Sequence, residues 1–493
     1  MSEELKADNQ AEGLPRSQVI GLILGAAFLL ATTILPPPET MAPEAWAALG
    51  LMLLMATWWS TEAIPIPATA LLPIVLVPAL GLGTVAEATE PFANPIIFLF
   101  LGGFTLGLAM QRWNLHRRIA LMTLRAVGSK PRRQIAGFML ATAFLSMWVS
   151  NTATAIMMLP IGLSVVAMMD SNDNPEGIRR YATALLLAIA YSASIGGIAT
   201  LIGTPPNALL AAYLSENQGI SVGFAQWMLL GVPVTVVMLA LAWWWLTRRD
   251  FGLGSSGDGG KAIREELDAL GPLGKGEKLV ALVFLITAAA WIFRPLLSEN
   301  LMPWLSDTGI AIAAAIAMFL MPVNTRTREF VLDWETAKGI PWGVLLLFGG
   351  GLAMAGVISS SGLAEWIAQS LGVAGALPTL VMIVLVAGII IFLTEVTSNT
   401  ATAAAFLPLL GALALSQGVS PLLLTVPAAI AASCAFMMPV ATPPNAIVFS
   451  SGHMQISDMI RAGFALNLMG IVVVTLISYL LLGVVFSMQS GVG

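Results

Sequence analysis

Apolar tracts of about 20 residues recur along the whole of this 493-residue chain, and about 20 residues of helix is the length that crosses roughly 30 Å of hydrocarbon. No other feature constrains the fold as strongly. Only 10% of the residues are charged and 57% are hydrophobic, with a mean hydropathy of +0.87. A water-soluble domain carries about 25% charged residues to hydrate its surface, so lipid is the solvent for most of this chain. In lipid each backbone polar group must be satisfied within its own segment, which leaves helices as the economical solution. The expectation is an all-α polytopic membrane protein. Many of the 46 glycines and 29 prolines lie inside apolar tracts, where they mark close packing or broken helices.

Eleven crossings emerge, at 21–35, 42–59, 68–80, 95–110, 182–212, 224–246, 279–293, 309–321, 341–355, 422–448 and 465–486. Two further pairs of apolar arms, 135–149 with 153–169 and 380–393 with 401–415, each flank a short polar turn. Interfacial pieces are expected at 119–126, with Arg125 and Lys130 facing headgroups, and at 363–371. The polar stretch 1–18 reads as a cytoplasmic tail, and the next apolar tract ends at Pro36-Pro37-Pro38 without a small-residue cleavage site. Residues 19–41 form the first span and its loop, 42–247 a first repeat with its hairpin at 134–169, 248–277 a cytoplasmic linker with one or two helical turns, and 278–493 a second repeat with its hairpin at 377–417.

The repeat is written in the residues themselves. Ser150-Asn151-Thr152-Ala153-Thr154-Ala155 returns 248 positions later as Ser398-Asn399-Thr400-Ala401-Thr402-Ala403, each followed by Leu-Pro. Gly203-Thr204-Pro205-Pro206-Asn207 returns as Ala441-Thr442-Pro443-Pro444-Asn445, and Leu101-Gly102-Gly103 has a looser echo in Phe348-Gly349-Gly350. Each repeat contains five crossings, and an odd number inverts one repeat relative to the other. If each polar turn tips a re-entrant hairpin, the basic clusters 112–133, 179–180, 248–278 and 326–338, with Lys6, Arg16 and Arg461, all fall inside. Arg294 is then the one of 22 basic residues outside, a strong positive-inside pattern. The N-terminus is expected in the cytoplasm and the C-terminus in the periplasm or outside. Full crossings by the hairpin arms would keep the same parity, so charge does not decide re-entrancy. Inverted repeats whose broken helices converge at the midplane are a recurrent transporter arrangement.

The duplicated motifs suit anions and cations together. A turn at a hairpin tip exposes backbone groups that hydrocarbon does not satisfy, so it must line a wet cavity or touch ligand. Hydroxyls and carboxamides donate to carboxylate oxygens, and their own oxygens suit a hard cation. Ser150 and Ser398 are positioned to cap the arms that follow, whose helix N-termini favour an anion. Each Pro-Pro pair removes N–H donors and leaves carbonyls unpaired beside a break, while Gly203 permits close backbone approach. Such a site holds an anion without a basic residue, provided that bound cations offset its charge.

On these motifs the chain resembles the divalent anion/sodium symporter family, which contains bacterial dicarboxylate transporters and mammalian sodium-coupled carboxylate and sulfate carriers. The resemblance runs from the second span to the last. It implies sodium-driven uptake of C4-dicarboxylates such as succinate, malate and fumarate, two re-entrant hairpins, an elevator movement of a transport domain against a scaffold, and a homodimer in the bacterial inner membrane. It implies a first sodium site from Ser146, Ser150, Asn151 and Gly203, and a second from Thr394, Thr397, Asn399 and Ala441. Substrate carboxylates would meet Asn151, Thr152, Thr204, Pro205, Ser398, Asn399, Thr400 and Pro443. Sodium-independent exchange, a sulfate or tricarboxylate substrate, and an anion channel stay open as alternatives.

Other residues carry two readings. Glu395, three positions before Ser398, is either a proton or cation group or a hydrogen-bonded support for the hairpin. Glu62 is either a proton-coupling acid or an interfacial structural residue. Trp58, Trp59 and the tryptophans at 243–245 read as interfacial anchors, and Gly102-Gly103 and Gly349-Gly350-Gly351 as close helix contacts. One cysteine, Cys434, excludes an intrachain disulfide, and two histidines, His116 and His453, cannot build a multi-histidine metal site. No HExxH motif, serine triad or histidine pair points to an enzyme, and nothing in the charge distribution calls for nucleic acid.

Overall fold

The protein is described by a computed structural model, which covers residues 15–128, 130–168, 174–253, 259–372 and 377–487. It is an all-α polytopic membrane protein. Nine of its helices among the described residues are long and apolar enough to cross a membrane. The shorter apolar helices Ile66–Ala79, Asp307–Leu320, Thr379–Thr394 and Leu422–Ala431 lie between them. A single antiparallel ribbon, Pro322–Asn324 with Glu329–Phe330, is the one strand pairing among the described residues, and no pattern in the sequence announced it.

Helix ends follow local chemistry. Pro95–Arg112 opens with Pro95 in its first turn while Asn94 accepts from the Ile96 N–H, and Asp307–Leu320 opens with Ser306 accepting from Gly309. These side chains satisfy N–H groups that the first turn leaves without partners. Glu62, in the left-handed conformation at the end of Pro43–Thr61, closes that helix.

The two repeats are interlocked. Pro95–Arg112 packs on Asp307–Leu320, and its counterpart Trp342–Ser360 packs on Ile66–Thr69. Glycines make both crossings possible. A Cβ on Gly102 would lie 2.6 Å from the Ala311 backbone, and one on Gly350 would lie 2.2 Å from the Ala70 carbonyl oxygen. Any side chain there forces backbones apart. Between the hairpins the exchange is equally reciprocal, since Pro205–Gln218 packs on Asn399–Ser416 and Pro443–Phe449 packs on Asn151–Met168.

Among its described residues, the segment between the repeats holds a longer helix than the one or two turns expected. Gly259–Ala269 is an 11-residue helix packed on Leu115–Val127, where Arg117 pairs with Glu266. Arg118, from the same helix as Arg117, turns inward. Its guanidinium meets the Glu277 carboxylate at 2.7 and 3.1 Å and donates to the carbonyls of Gly271 and Leu270. With both side chains about one-tenth exposed, this forked pair ties the interfacial helix of the first repeat to the first long helix of the second.

Candidate substrate and cation site

Each hairpin consists of two helices joined by a short turn at the tip. In the first, four residues separate the end of Pro131–Ser146 from the start of Asn151–Met168; in the second, Thr379–Thr394 gives way to Asn399–Ser416 in the same way. Asn151 and Asn399 therefore start their helices, with backbone N–H groups facing the tip. Ser150 accepts from the Ala153 N–H at 3.3 Å. Ser398, expected to cap in the same way, makes no capping hydrogen bond, so the first turn of the second arm keeps its donors for another partner.

The hydroxyl of Ser146 lies 2.5 Å from the Asn151 carboxamide oxygen and donates to the Ala193 carbonyl at 2.7 Å. Thr394 repeats this arrangement, 2.7 Å from the Asn399 carboxamide oxygen and 3.2 Å from the Ala432 carbonyl. Asn151 Oδ1 and the Gly203 carbonyl converge on Gly197, where a Cβ would lie 2.9 Å from each. A glycine keeps that oxygen-lined space open. The grouping brings together Ser146, Asn151 and Gly203 on one side, and Thr394 and Asn399 on the other. The Thr397 hydroxyl is turned away, bonded to the Leu393 carbonyl and 2.7 Å from the Thr402 hydroxyl. Thr152 and Thr400 are half-buried in the first turns of the two arms, and Pro205 and Pro443 head the post-break helices. Ala441 is buried beside the second break, with its N–H on the Met438 carbonyl.

The breaks themselves are held by two residues to which the motif reading gave no role. The Asn207 side-chain N–H group donates to the carbonyls of Gly197 and Thr200, at 3.2 and 2.8 Å. Asn445 does the same to Ala435 and Met438, at 3.2 and 3.0 Å. All three pairs of equivalent residues are separated by 238 positions, and both Asn oxygens remain buried without a partner among the described residues. The recurrence of Asn at the end of the Pro-Pro motif was the available signal. The two breaks also meet: the Thr204 and Ser433 hydroxyls are 3.3 Å apart. Ser433 has no echo in the first repeat and no local pattern singles it out.

Glu395 is the buried acid at this centre. Its carboxylate accepts the backbone N–H groups of Phe436, Met437 and Met438 and the Asn467 amide, at 2.7–3.0 Å. Four donors on one buried carboxylate fit the supporting role. No group of three or more His, Cys, Asp or Glu side chains suited to a transition metal occurs among the described residues. The oxygen set of hydroxyls, carboxamides and carbonyls instead matches a hard monovalent cation and a multiply charged anion.

The comparisons with known proteins agree with this chemistry. A family model described as the sodium:sulfate symporter transmembrane region matches residues 16–488. The chain is 44% identical over 476 residues to the sodium-dependent dicarboxylate transporter SdcS of Staphylococcus saprophyticus, covering 94% of this chain and 91% of that one. It is 43% identical to SdcS of Staphylococcus aureus, covering 96% and 92%. Among solved structures, the YdaH transporter of Alcanivorax borkumensis aligns with a TM-score of 0.58 over 95% of this chain and 99% of its own. MtrF of Neisseria gonorrhoeae gives 0.57 over 95% of each. Both are 14% identical and attest the fold alone.

Proposed function

This chain belongs to the sodium:sulfate symporter family, and on that premise we propose that it imports C4-dicarboxylates, succinate, malate and fumarate among them, by sodium symport. It is a membrane transport protein and not an enzyme. The observation that carries the substrate reading is the pair of hydroxyl–carboxamide contacts, Ser146 with Asn151 and Thr394 with Asn399, each beside the start of an 18-residue helix. Relatives that share more than two-fifths of their residues with this chain bear the name of sodium-dependent dicarboxylate transporters.

At least two sodium ions bind in this reading. The first takes oxygens from Ser146, Ser150, Asn151 and Gly203, and the second from Thr394, Thr397, Asn399 and Ala441, Thr397 joining after a turn of its hydroxyl. Their charge offsets the two carboxylates, which no lysine or arginine at the site neutralises. Substrate oxygens then receive donors from Asn151, Thr152, Thr204, Ser398, Asn399 and Thr400 and from the helix N-termini, with Pro205 and Pro443 shaping the walls. Binding of cations and anion is mutually dependent because each alone leaves uncompensated charge in a poorly hydrated space.

The reading extends to an elevator movement, in which the two hairpins and broken helices travel against the interlocked glycine-packed helices. It includes a homodimer in the bacterial inner membrane, with the basic loops and the N-terminus in the cytoplasm and the C-terminus outside. The hairpins are re-entrant, at 134–169 and 377–417.

Labelled succinate uptake into proteoliposomes without internal dicarboxylate tests the proposal. Accumulation driven by an inward sodium gradient is expected. Uptake that ignores sodium and appears only when succinate is loaded inside would identify an exchanger and overturn the symport reading.

A further inference from the structure

At the end of the bundle that carries the basic loops, five arginines from three helices surround one cleft of about 260 Å³. Arg179 and Arg180 stand on Pro175–Ile198, Arg248 and Arg249 follow the end of Phe224–Thr247, and Arg461 stands on Ile456–Ser487. Asp458 is the one acid in the lining, and none of the five arginines forms an ion pair among the described residues. Arg248 lies 3.3 Å from the centre of the Trp245 ring, a contact that fixes a guanidinium without neutralising it. All five arginines are exposed, so solvent screens part of their mutual repulsion, and a bound anion relieves what Asp458 and solvent leave.

Apart from Thr183, whose hydroxyl donates to the His453 carbonyl, the rest of the lining is apolar: Ala184, Leu187, Trp245, Leu246, Phe251 and Ala462. Two of its walls come from helices that pack on each other and show apolar outer faces, Trp244 being 53% and Phe464 46% exposed. A second cleft, lined by Lys130, Arg132, Arg133 and Asp250, adjoins it through the shared Phe251.

We propose that this arginine cleft is a binding site for the headgroup of an anionic phospholipid. The phosphate sits among the guanidiniums, whose planar forks suit its oxygens, and an acyl chain lies against the apolar lining and the exposed helix faces. Basic pockets between helices at a membrane surface are well matched to anionic headgroups. The occupied cleft clamps together the helix that leads into the first break and the helix that carries Asn467, the partner of Glu395. The inference is independent of which anion the protein transports.

The test is native mass spectrometry of the purified full chain, with its thermal unfolding followed in detergent supplemented with phosphatidylglycerol or phosphatidylcholine. Phosphatidylglycerol is expected to stay bound through delipidation and to raise the unfolding temperature, while phosphatidylcholine does neither. The triple variant Arg179→Gln/Arg180→Gln/Arg461→Gln should retain at least tenfold less phosphatidylglycerol, whereas Arg326→Gln, on the exposed ribbon turn, should retain as much as the wild type. Equal effects of the two lipids on the wild type would overturn the proposal without reference to any variant. So would equal retention by wild type and triple variant, or inorganic phosphate or succinate displacing the lipid at millimolar concentration, which would assign the cleft to a soluble anion.

Discussion

The carboxylate of Glu395 receives the side-chain amide of Asn467 at 2.7 Å, and with the same two oxygens it holds three consecutive backbone N–H groups, at 436, 437 and 438. One side chain thus fixes the second break to the hairpin and to the last helix. The first repeat solves the same problem differently. Met147 stands at the equivalent position, and its carbonyl accepts the Thr200 hydroxyl at 2.6 Å.

This asymmetry makes Glu395 the more sensitive position. Glu395→Gln places an amide donor among N–H groups that already point at it, and hydrogen bonds to a charged group contribute about 1.5–3 kcal/mol each. Uptake should fall at least tenfold and the unfolding temperature should drop. Asn467→Leu, which removes one donor and leaves the backbone three, should have the smaller effect on both. Unchanged unfolding and uptake in Glu395→Gln would deny the carboxylate this role.

Asn151→Ala and Asn399→Ala each remove a carboxamide from a hairpin tip where both are only half-buried. Folding should be little affected, so each variant should elute from size exclusion as the wild type does. Succinate uptake should fall by an order of magnitude or more, and the sodium concentration for half-maximal uptake should rise. Normal uptake by both purified variants would remove these residues from the site.

Arg118 and Glu277 offer a paired test of the link between repeats. Breaking a buried pair by removing one partner costs about 3–5 kcal/mol, because the other charge is left without compensation. Arg118→Met should therefore lower the unfolding temperature sharply. Adding Glu277→Gln removes the stranded charge while preserving the bond from the Gly274 N–H that this residue accepts. The double variant should recover most of the loss, and a double variant as unstable as Arg118→Met would contradict the pairing.

His116 predicts a pH dependence. Burial, helped by the neighbouring Arg117, holds its imidazole below the usual 6.5, against an opposing hydrogen bond to the Met110 carbonyl. The unfolded chain therefore binds the proton more readily. The contribution of this residue is present above pH 6.5 and is lost as pH falls from there towards the lower folded value. Unfolding temperatures between pH 8 and 5 should fall more steeply for the wild type than for His116→Gln, and parallel curves would refute this.

How much of the site could be read in the sequence depends on the range of the interaction. The Ser-Asn-Thr tips and the Pro-Pro breaks were legible because each is a local departure from an apolar helix, repeated at nearly constant spacing. Asn207 and Asn445 were within those motifs, yet their task became visible only with the carbonyls seven and ten residues before them. Ser433, Asn467 and the inward turn of Arg118 left no local trace.

The sequence by itself determined the solvent, the helical class, the duplicated motifs and the positions of the breaks, since span length, proline and polar turns act on the chain within a few residues. Only the tertiary structure decided that Gly102 meets Ala311 and Gly350 meets Ala70, that Thr204 faces Ser433, and which donors Glu395 collects. Those contacts join residues 41 to 280 positions apart. Apolar periodicity says that a face must be covered without saying by what, so the choice of partner belongs to close packing of the whole chain and to the need to pair each buried polar group.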